Sequence, residues 1–419
     1  MARKTLKRTG PPMYPEHPMA EHELRIRRAR EIMKDDKLDA LLLARNVNVY
    51  YATGTRFVFA GWDAPSALAP QTTAIITKDA DIYCQRFGPF DSDEVALDTT
   101  NSASLELYDD EFELIDILKQ YGVRKGARVG TEWGPGLCVG INPIKFLEIK
   151  KRVESELGAE IVDATTTVWK WTAIKSPLEI DRLRRAVRAA ARAMERVYDE
   201  LEVGMNELDV ARMASRFMLE EGGDQVTHAQ VMAEGDGSAS FWSCNALDRQ
   251  VTKGWVHLDA GCKYMRYGSD INRGIFLGRE PTDKEVKLYD CRKGVNELMD
   301  RTIKPGVAFD DLLAEMKDYV ESQGCILQEL NGTLFGGHGL GLEPYQRPNL
   351  LPSSAQPEFQ NADGKVVFQE GMVFTYEMPV VMPANGYMPF FNIEDNVVVT
   401  RNGVENLNAD LSRDLRVKM

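Results

Sequence analysis

The sequence is poor in cysteine and builds no framework from it: Cys84, Cys138, Cys244, Cys262, Cys291 and Cys325 are scattered, with no C-x-x-C pair. Such spacing excludes a disulfide-stapled secreted scaffold, so the thiols are expected to be small core residues in a reducing cytoplasm. Long hydrophobic runs are also missing. Nothing approaches the roughly 18 apolar residues of a membrane span, which excludes a transmembrane helix and predicts a soluble protein. The basic segment Met1-Ala2-Arg3-Lys4-Thr5-Leu6-Lys7-Arg8 runs into Thr9-Gly10-Pro11-Pro12 and not into an apolar stretch, so it does not read as a secretory signal. It is expected to lie as an arm over a neighbouring surface. Basic charge is short overall: 51 Lys and Arg face 64 Asp and Glu, a net charge of −13. That balance argues against a general nucleic-acid binder and against attraction to anionic membranes. No internal repeat is visible.

What is present is enough chain for two domains, since 419 residues exceed what one core usually supports. In the first half, a charged amphipathic stretch from Glu21 to Lys34 predicts a surface helix, and Ala40–Leu43, Thr73–Ile76, Ile82–Cys84 and Arg128–Gly130 predict short strands. Together with a helix from Glu111 to Tyr121, this predicts a smaller α/β domain over 1–172. The second domain, 173–419, opens at Ile174-Lys175-Ser176-Pro177-Leu178-Glu179. Ser176 is a cap, Pro177 suits the first helical position and Glu179 completes a capping box. Further helices are predicted from Glu207 to Gly222, from the box at Thr282-Asp283-Lys284-Glu285, and from Phe309 to Gly324. Between them lie short strands, giving an α+β arrangement of helices on one face of a curved, mainly antiparallel sheet.

Those strands carry ionisable groups at positions that cost energy unless something compensates. Val256-His257-Leu258-Asp259-Ala260-Gly261 delivers a carboxylate, and eleven residues later Gly268-Ser269-Asp270-Ile271-Asn272-Arg273 delivers another. His338 stands in Gly336-Gly337-His338-Gly339-Leu340-Gly341; Glu377 and Glu394 interrupt the runs Val373–Met378 and Phe391–Val399. An unpaired buried carboxylate costs several kcal/mol. Two Asp, two Glu and one imidazole form a set suited to a pair of Mn, Fe, Co or Zn ions sharing carboxylates. The glycines around His338 lack the Lys-Ser/Thr ending of a phosphate loop and are expected to let backbone approach the ions closely. His228, in Val226-Thr227-His228-Ala229-Gln230-Val231, is a candidate acid or base on the substrate side as well as a candidate structural histidine. His257 is read as facing the core side of its strand, out of phase with the neighbours of Asp259.

On these residues the chain resembles the creatinase, prolidase and aminopeptidase P family of pita-bread-fold metalloenzymes. The resemblance spans most of the second half and fills all five metal positions, Asp259, Asp270, His338, Glu377 and Glu394; the first half looks like that family's creatinase-type accessory domain. It implies a dinuclear centre and a homodimer in which one N-terminal domain lines the neighbour's site. Three positions depart from it. Trp242 stands where the peptidases carry a substrate-side His, Tyr345 stands seven residues after His338 where they carry another, and Asn392 replaces an Arg common two residues before the last metal Glu. Trp242, Tyr345 and Asn392, with His228, are therefore the expected substrate contacts.

The reading that follows is a metal-dependent hydrolase of a small C–N-bonded substrate or short peptide, Xaa-Pro peptidase-like but of non-standard specificity, with Glu377 taking the proton of the attacking water. One alternative is a lyase acting on a carboxylate or onium compound. Dimethylsulfoniopropionate lyases of this fold are similar in having an aromatic loop at the Trp242 position, but they carry an Asp where this chain has Gly261 and an acid where it has Pro344. Another alternative is a metal-free binding protein, which has no use for five converging ionisable groups.

Overall fold

Short β-rich runs punctuated by turn residues become strands throughout the chain, and the capped amphipathic stretches become helices. The computed structural model describes residues 3–55, 72–86, 97–134, 136–137, 139–233, 246–382 and 391–419. The chain divides into two compact units, Met1–Trp171 and Thr172–Met419. Among the described residues no helix is long and apolar enough to cross a membrane.

Among the described residues the first unit has seven strands: β1 (Lys4–Lys7), β2 (Ala40–Leu43), β3 (Thr72–Thr77), β4 (Asp81–Arg86), β5 (Ser104–Tyr108), β6 (Arg128–Thr131) and β7 (Glu160–Asp163). They lie in the order β1-β5-β4-β3-β2-β6-β7. The pairs β2–β3 and β3–β4 are antiparallel, while β4–β5, β2–β6 and β6–β7 are parallel. Helices α1 (Met19–Asp35), α2 (Asn46–Thr53), α3 (Leu114–Gln120), α4 (Pro143–Arg152) and α5 (Thr165–Ala173) complete the unit. Leu42, Ile75, Ile82, Leu118, Val129 and Phe146 share its core.

The basic N-terminal segment is not an arm over a neighbouring surface; it is the edge strand of its own sheet, with Lys4 opposite Leu107 and Lys7 opposite Ser104. The cause is local. Glu106 is fully buried, and Thr5 donates its hydroxyl to that carboxylate at 2.9 Å, so the strand satisfies both a buried charge and the free edge of β5.

The second unit begins as its capping box predicts. The Ser176 hydroxyl accepts from the Glu179 amide at 3.2 Å, the Glu179 carboxylate accepts from the Ser176 amide at 2.8 Å, and α6 (Pro177–Glu200) follows. Next come α7 (Glu207–Glu220), β8 (Gln225–Ala233), β9 (Gly254–Tyr264), β10 (Tyr267–Gly268), β11 (Ile271–Leu277), α8 (Asp283–Thr302) and α9 (Phe309–Ser322). The chain ends through β12 (Ile326–Leu327), β13 (Val373–Thr375), β14 (Val380–Val381), β15 (Asn396–Thr400), β16 (Gly403–Asn406) and β17 (Arg416–Lys418). Strand β9 pairs antiparallel with β8, β10 and β11, and β11 pairs parallel with β17; β13, β15 and β16 form a second sheet.

Alternation along β9 divides the work of its side chains. Cys262 reaches back to α6, its Sγ donating to Ala186 O at 3.4 Å, and Leu258 and Ala260 share that face. His257 and Asp259 point the other way. Trp255, two residues before His257, packs on Phe276, Tyr289 and Phe391 with ring centroids 5.1, 5.9 and 4.6 Å away.

Candidate metal centre

Each of the five strand-borne or loop-borne groups is placed by a backbone device. Asp259 sits in mid-strand on β9, opposite Asn272 of β11. Asp270 immediately precedes β11, and its amide donates to Asn396 Oδ1 at 3.1 Å. His338 follows Gly337, whose φ of +138° favours glycine and whose Cβ, if present, would run into Thr375 O. That close approach lets the Thr375 amide donate to His338 O at 2.8 Å, tying the histidine loop to the strand that leads to Glu377. Glu394 is bridged through its backbone to Asn272, so the two sheets meet at the carboxylates.

The side chains converge as two overlapping triads. His228, Asp259 and Asp270 offer ligand atoms within 4.8 Å of one another, and so do Asp270, His338 and Glu394. Asp270 belongs to both. Glu377 Oε2 lies 3.6 Å from His338 Nε2, which is also 3.6 Å from Asp270 Oδ2 and 3.9 Å from Glu394 Oε1.

The electrostatics are those of a site built for added positive charge. Burial first, then Asp270 and Asp259, pushes the Glu377 carboxyl up to about 8. Burial, Asp270 and Glu377 drive Glu394 well above its ordinary range. Burial also holds the His338 imidazole below its usual value; its Nδ1 lies 3.1 Å from Gly339 O and donates to it, leaving Nε2 bare toward the acids. Among the described residues, His338 Nε2 and both oxygens of Glu394 have no hydrogen-bond partner, although Glu394 is 1% exposed. Three orphaned buried atoms, one a neutral ring nitrogen and two carboxylate oxygens, are what a divalent ion would satisfy, so this donor set fits such an ion.

Beside Glu394, Asp395 holds the support together. Burial works against its charge, but Arg273 and Arg413 hold the carboxyl down to about 2. It accepts from Arg273 Nη2 and Arg413 Nε, both at 2.6 Å, from Asn408 at 2.8 Å and from Asn296 at 2.9 Å. Asp395→Ala would leave Arg273, itself 1% exposed, without its counter-charge. We expect a loss of about 3–5 kcal/mol, read as a lower urea midpoint at unchanged slope.

The remaining sequence candidates fall in different places. Trp242 lies outside the described residues. Tyr345 is 61% exposed, with its ring tilted 38° against the His338 imidazole and centroids 4.2 Å apart. Asn392 is fully buried behind the acids, its Oδ1 accepting from Arg292 Nη2 at 3.0 Å. His228 is half-buried, its Nε2 2.9 Å from Asp259 Oδ1 and 3.2 Å from Asp270 Oδ1. Burial opposes charge on this ring, yet Asp270 and Asp259 raise it to about 10. His257 is buried as expected, but positions 257 and 259 differ by two and share a face. Burial lowers His257 to about 4, and its neutral Nε2 accepts from Asn272 Nδ2 at 2.7 Å, so the pair stands beside Asp259.

Sequence reasoning missed Arg292 of α8. This buried guanidinium donates to Tyr376 O at 3.1 Å and Ile393 O at 3.0 Å, the residues before Glu377 and Glu394, and sets positive charge behind both. The signal was available: Leu288, Tyr289, Val295 and Met299 mark the buried face of α8, and Arg292 falls on it.

Comparison with known proteins shows the family and the fold. Residues 181–401 match metallopeptidase family M24, and residues 25–171 match the creatinase/prolidase N-terminal domain. An Xaa-Pro dipeptidase of Pyrococcus horikoshii is 25% identical over 387 residues, covering 91% of this chain and 96% of the relative. An uncharacterized peptidase of Bacillus subtilis is 26% identical over 389 residues, with the same shares covered. The crystal structure of the Pyrococcus horikoshii prolidase superposes with a TM-score of 0.72 at 23% identity, covering 94% of this chain and 99% of that one, which shows the common fold.

Proposed function

The chain belongs to metallopeptidase family M24, and from that premise we propose that it is a dinuclear metal-dependent hydrolase of a small C–N-bonded substrate whose specificity has moved away from Xaa-Pro dipeptides. The observation that carries the metal part is the orphaned trio of His338 Nε2 and the two Glu394 oxygens at the junction of two triads sharing Asp270. Asp259, Asp270, His338, Glu377 and Glu394 would hold the ions. When bound, such a pair supplies a water acidic enough to attack near neutral pH and positive charge for the oxyanion that develops. Glu377, whose Oε2 lies 3.6 Å from His338 Nε2, would receive the water's proton. Arg292 and the Asp395 network keep the two Glu-bearing segments in place while the proton moves.

Gly261 counts against the lyase reading. A side chain there would meet His228 Cε1 at 2.6 Å and Thr227 Oγ1 at 2.7 Å, so the extra Asp of those enzymes has no room. The metal-free reading leaves Glu394 buried without compensation. The test is metal analysis of the purified protein, then turnover of a panel holding Xaa-Pro dipeptides, amidines, betaines and dimethylsulfoniopropionate before and after chelation. Two ions per chain and chelator-sensitive hydrolysis of a C–N bond are expected; elimination with release of dimethyl sulfide would overturn the hydrolase.

The assembly we propose is a homodimer, by analogy with the family. With Lys4–Lys7 bound into its own sheet, the N-terminal segment no longer adds to that argument. Light scattering at micromolar concentration is expected to return about twice the 47.1 kDa chain mass, and a monomeric mass would remove the proposal.

A further inference from the structure

We propose that His228 is a sixth protein ligand of the metal pair, binding the ion on the Asp259 side through Nε2. The inference rests on the dinuclear reading above and goes beyond its five residues.

The case is geometric. Strand β8 pairs with β9 with a register shift between Val226 and His228, and this irregularity sets His228 opposite Gly261. A bulge of this kind re-aims a side chain. It brings Nε2 to 2.9 Å from Asp259 Oδ1 and 3.2 Å from Asp270 Oδ1. The ring's other nitrogen, Nδ1, lies 3.0 Å from Thr227 Oγ1. With Nδ1–H donating to that hydroxyl, an ion that takes the place of the Nε2 proton would find the Nε2 lone pair and the two carboxylates facing it, the arrangement of a metal-ligating histidine with an oriented outer partner.

Room for the ring is made by the sequence. Gly261 shares the face of Asp259, and a Cβ there would fall 2.6 Å from His228 Cε1 and 2.7 Å from Thr227 Oγ1. The imidazole, with the Ser269 carbonyl 2.2 Å from the same Cβ position, fills the space that any other residue at 261 would occupy. The consequence is a symmetric donor set. His338 serves one triad, His228 the other, and Asp270 is shared. Without His228, the Asp259 side would offer oxygen alone, which suits Mn or Mg; with it, both positions are mixed nitrogen and oxygen sites of the kind that take Zn, Co or Fe.

The experiment is X-ray absorption at the metal edge of the full-length protein loaded with two equivalents of Zn(II), together with chelator competition. The wild-type protein is expected to show one imidazole per ion. His228→Gln, chosen to preserve volume and hydrogen bonding, and His228→Ala are each expected to show half an imidazole per ion and to release one of the two ions about 10–100-fold more readily. The wild-type spectrum decides even if a variant fails to fold. Half an imidazole per ion in the wild-type protein, with two ions still bound, overturns the role of His228 and leaves the dinuclear reading standing. Failure of the wild-type protein to hold two ions overturns both.

Discussion

Asp270→Ala is expected to strip the protein of both ions and to cut turnover by at least about 10²–10³-fold, the size of effect that follows loss of a single preorganised electrostatic group. The reason is the position of this carboxylate. Among the described residues it alone belongs to both triads, with Oδ1 3.2 Å from His228 Nε2 and Oδ2 3.6 Å from His338 Nε2. Removing any other acid would impoverish one position more than the other, whereas removing Asp270 takes a donor from each. The fold should survive. The amide and carbonyl of Asp270 are held by the Asn396 side chain, not by the carboxylate, and Ala keeps them. Deleting one of several mutually repelling acids also relieves the crowding that raises Glu377 and Glu394, so the metal-free variant should unfold at a urea concentration no lower than metal-free wild type. Metal content and turnover, measured on the same preparation, are the quantities to compare. A variant that keeps two ions and more than a tenth of its activity would show that Asp270 is not the shared group.

What the sequence made legible follows from how strongly local chemistry constrains each feature. The capping boxes at Ser176 and Thr282 are local, satisfying amides within one helical turn, and both helices start where those residues place them. Asp259, Asp270, His338, Glu377 and Glu394 stand out because an acid in a β-branched run is expensive unless compensated. The structure brings their side chains together, and their service as ligands is our proposal. Less was visible where an effect depends on pairing across distant segments. The N-terminal strand is fixed by Glu106, about a hundred residues away, and nothing near Thr5 announces it. Asn272 and His257 meet only through the register of β9 and β11. His228 was identifiable as a candidate, but its aim depends on an irregularity between Val226 and His228 and on Gly261 across the strand. Arg292 is the exception: its place on the buried face of α8 was readable, and a charge at a core position was the signal.

Specificity gives the second large effect. Wild-type protein is expected to cleave Xaa-Pro dipeptides poorly, and the double variant Trp242→His, Tyr345→His to cleave them about 10²-fold better, the lower end of what positioned acid–base groups contribute. The donor set resembles that of the Xaa-Pro peptidases, but the groups around it decide which molecule is held and where protons go. By the family resemblance, we propose that an indole, which has no titratable proton near neutral pH, and a phenol, whose ordinary value is near 10, stand where two imidazoles would carry protons in that range. Tyr345 is mostly exposed while its ring lies against the His338 imidazole, so it can meet a substrate approaching the acids, and its replacement should cost little packing. The exposed Tyr345 ring beside His338 favours flat or cationic groups through cation–π attraction. The restored variant should also acquire a kcat/KM dependence on pH in the imidazole range that the wild-type protein lacks, a change that mere widening of the pocket would not produce. Efficient cleavage of Xaa-Pro dipeptides by the unaltered protein, at kcat/KM of about 10⁴ M⁻¹ s⁻¹ or more, would show that neither imidazole is needed and would return the chain to ordinary proline-dipeptide hydrolysis.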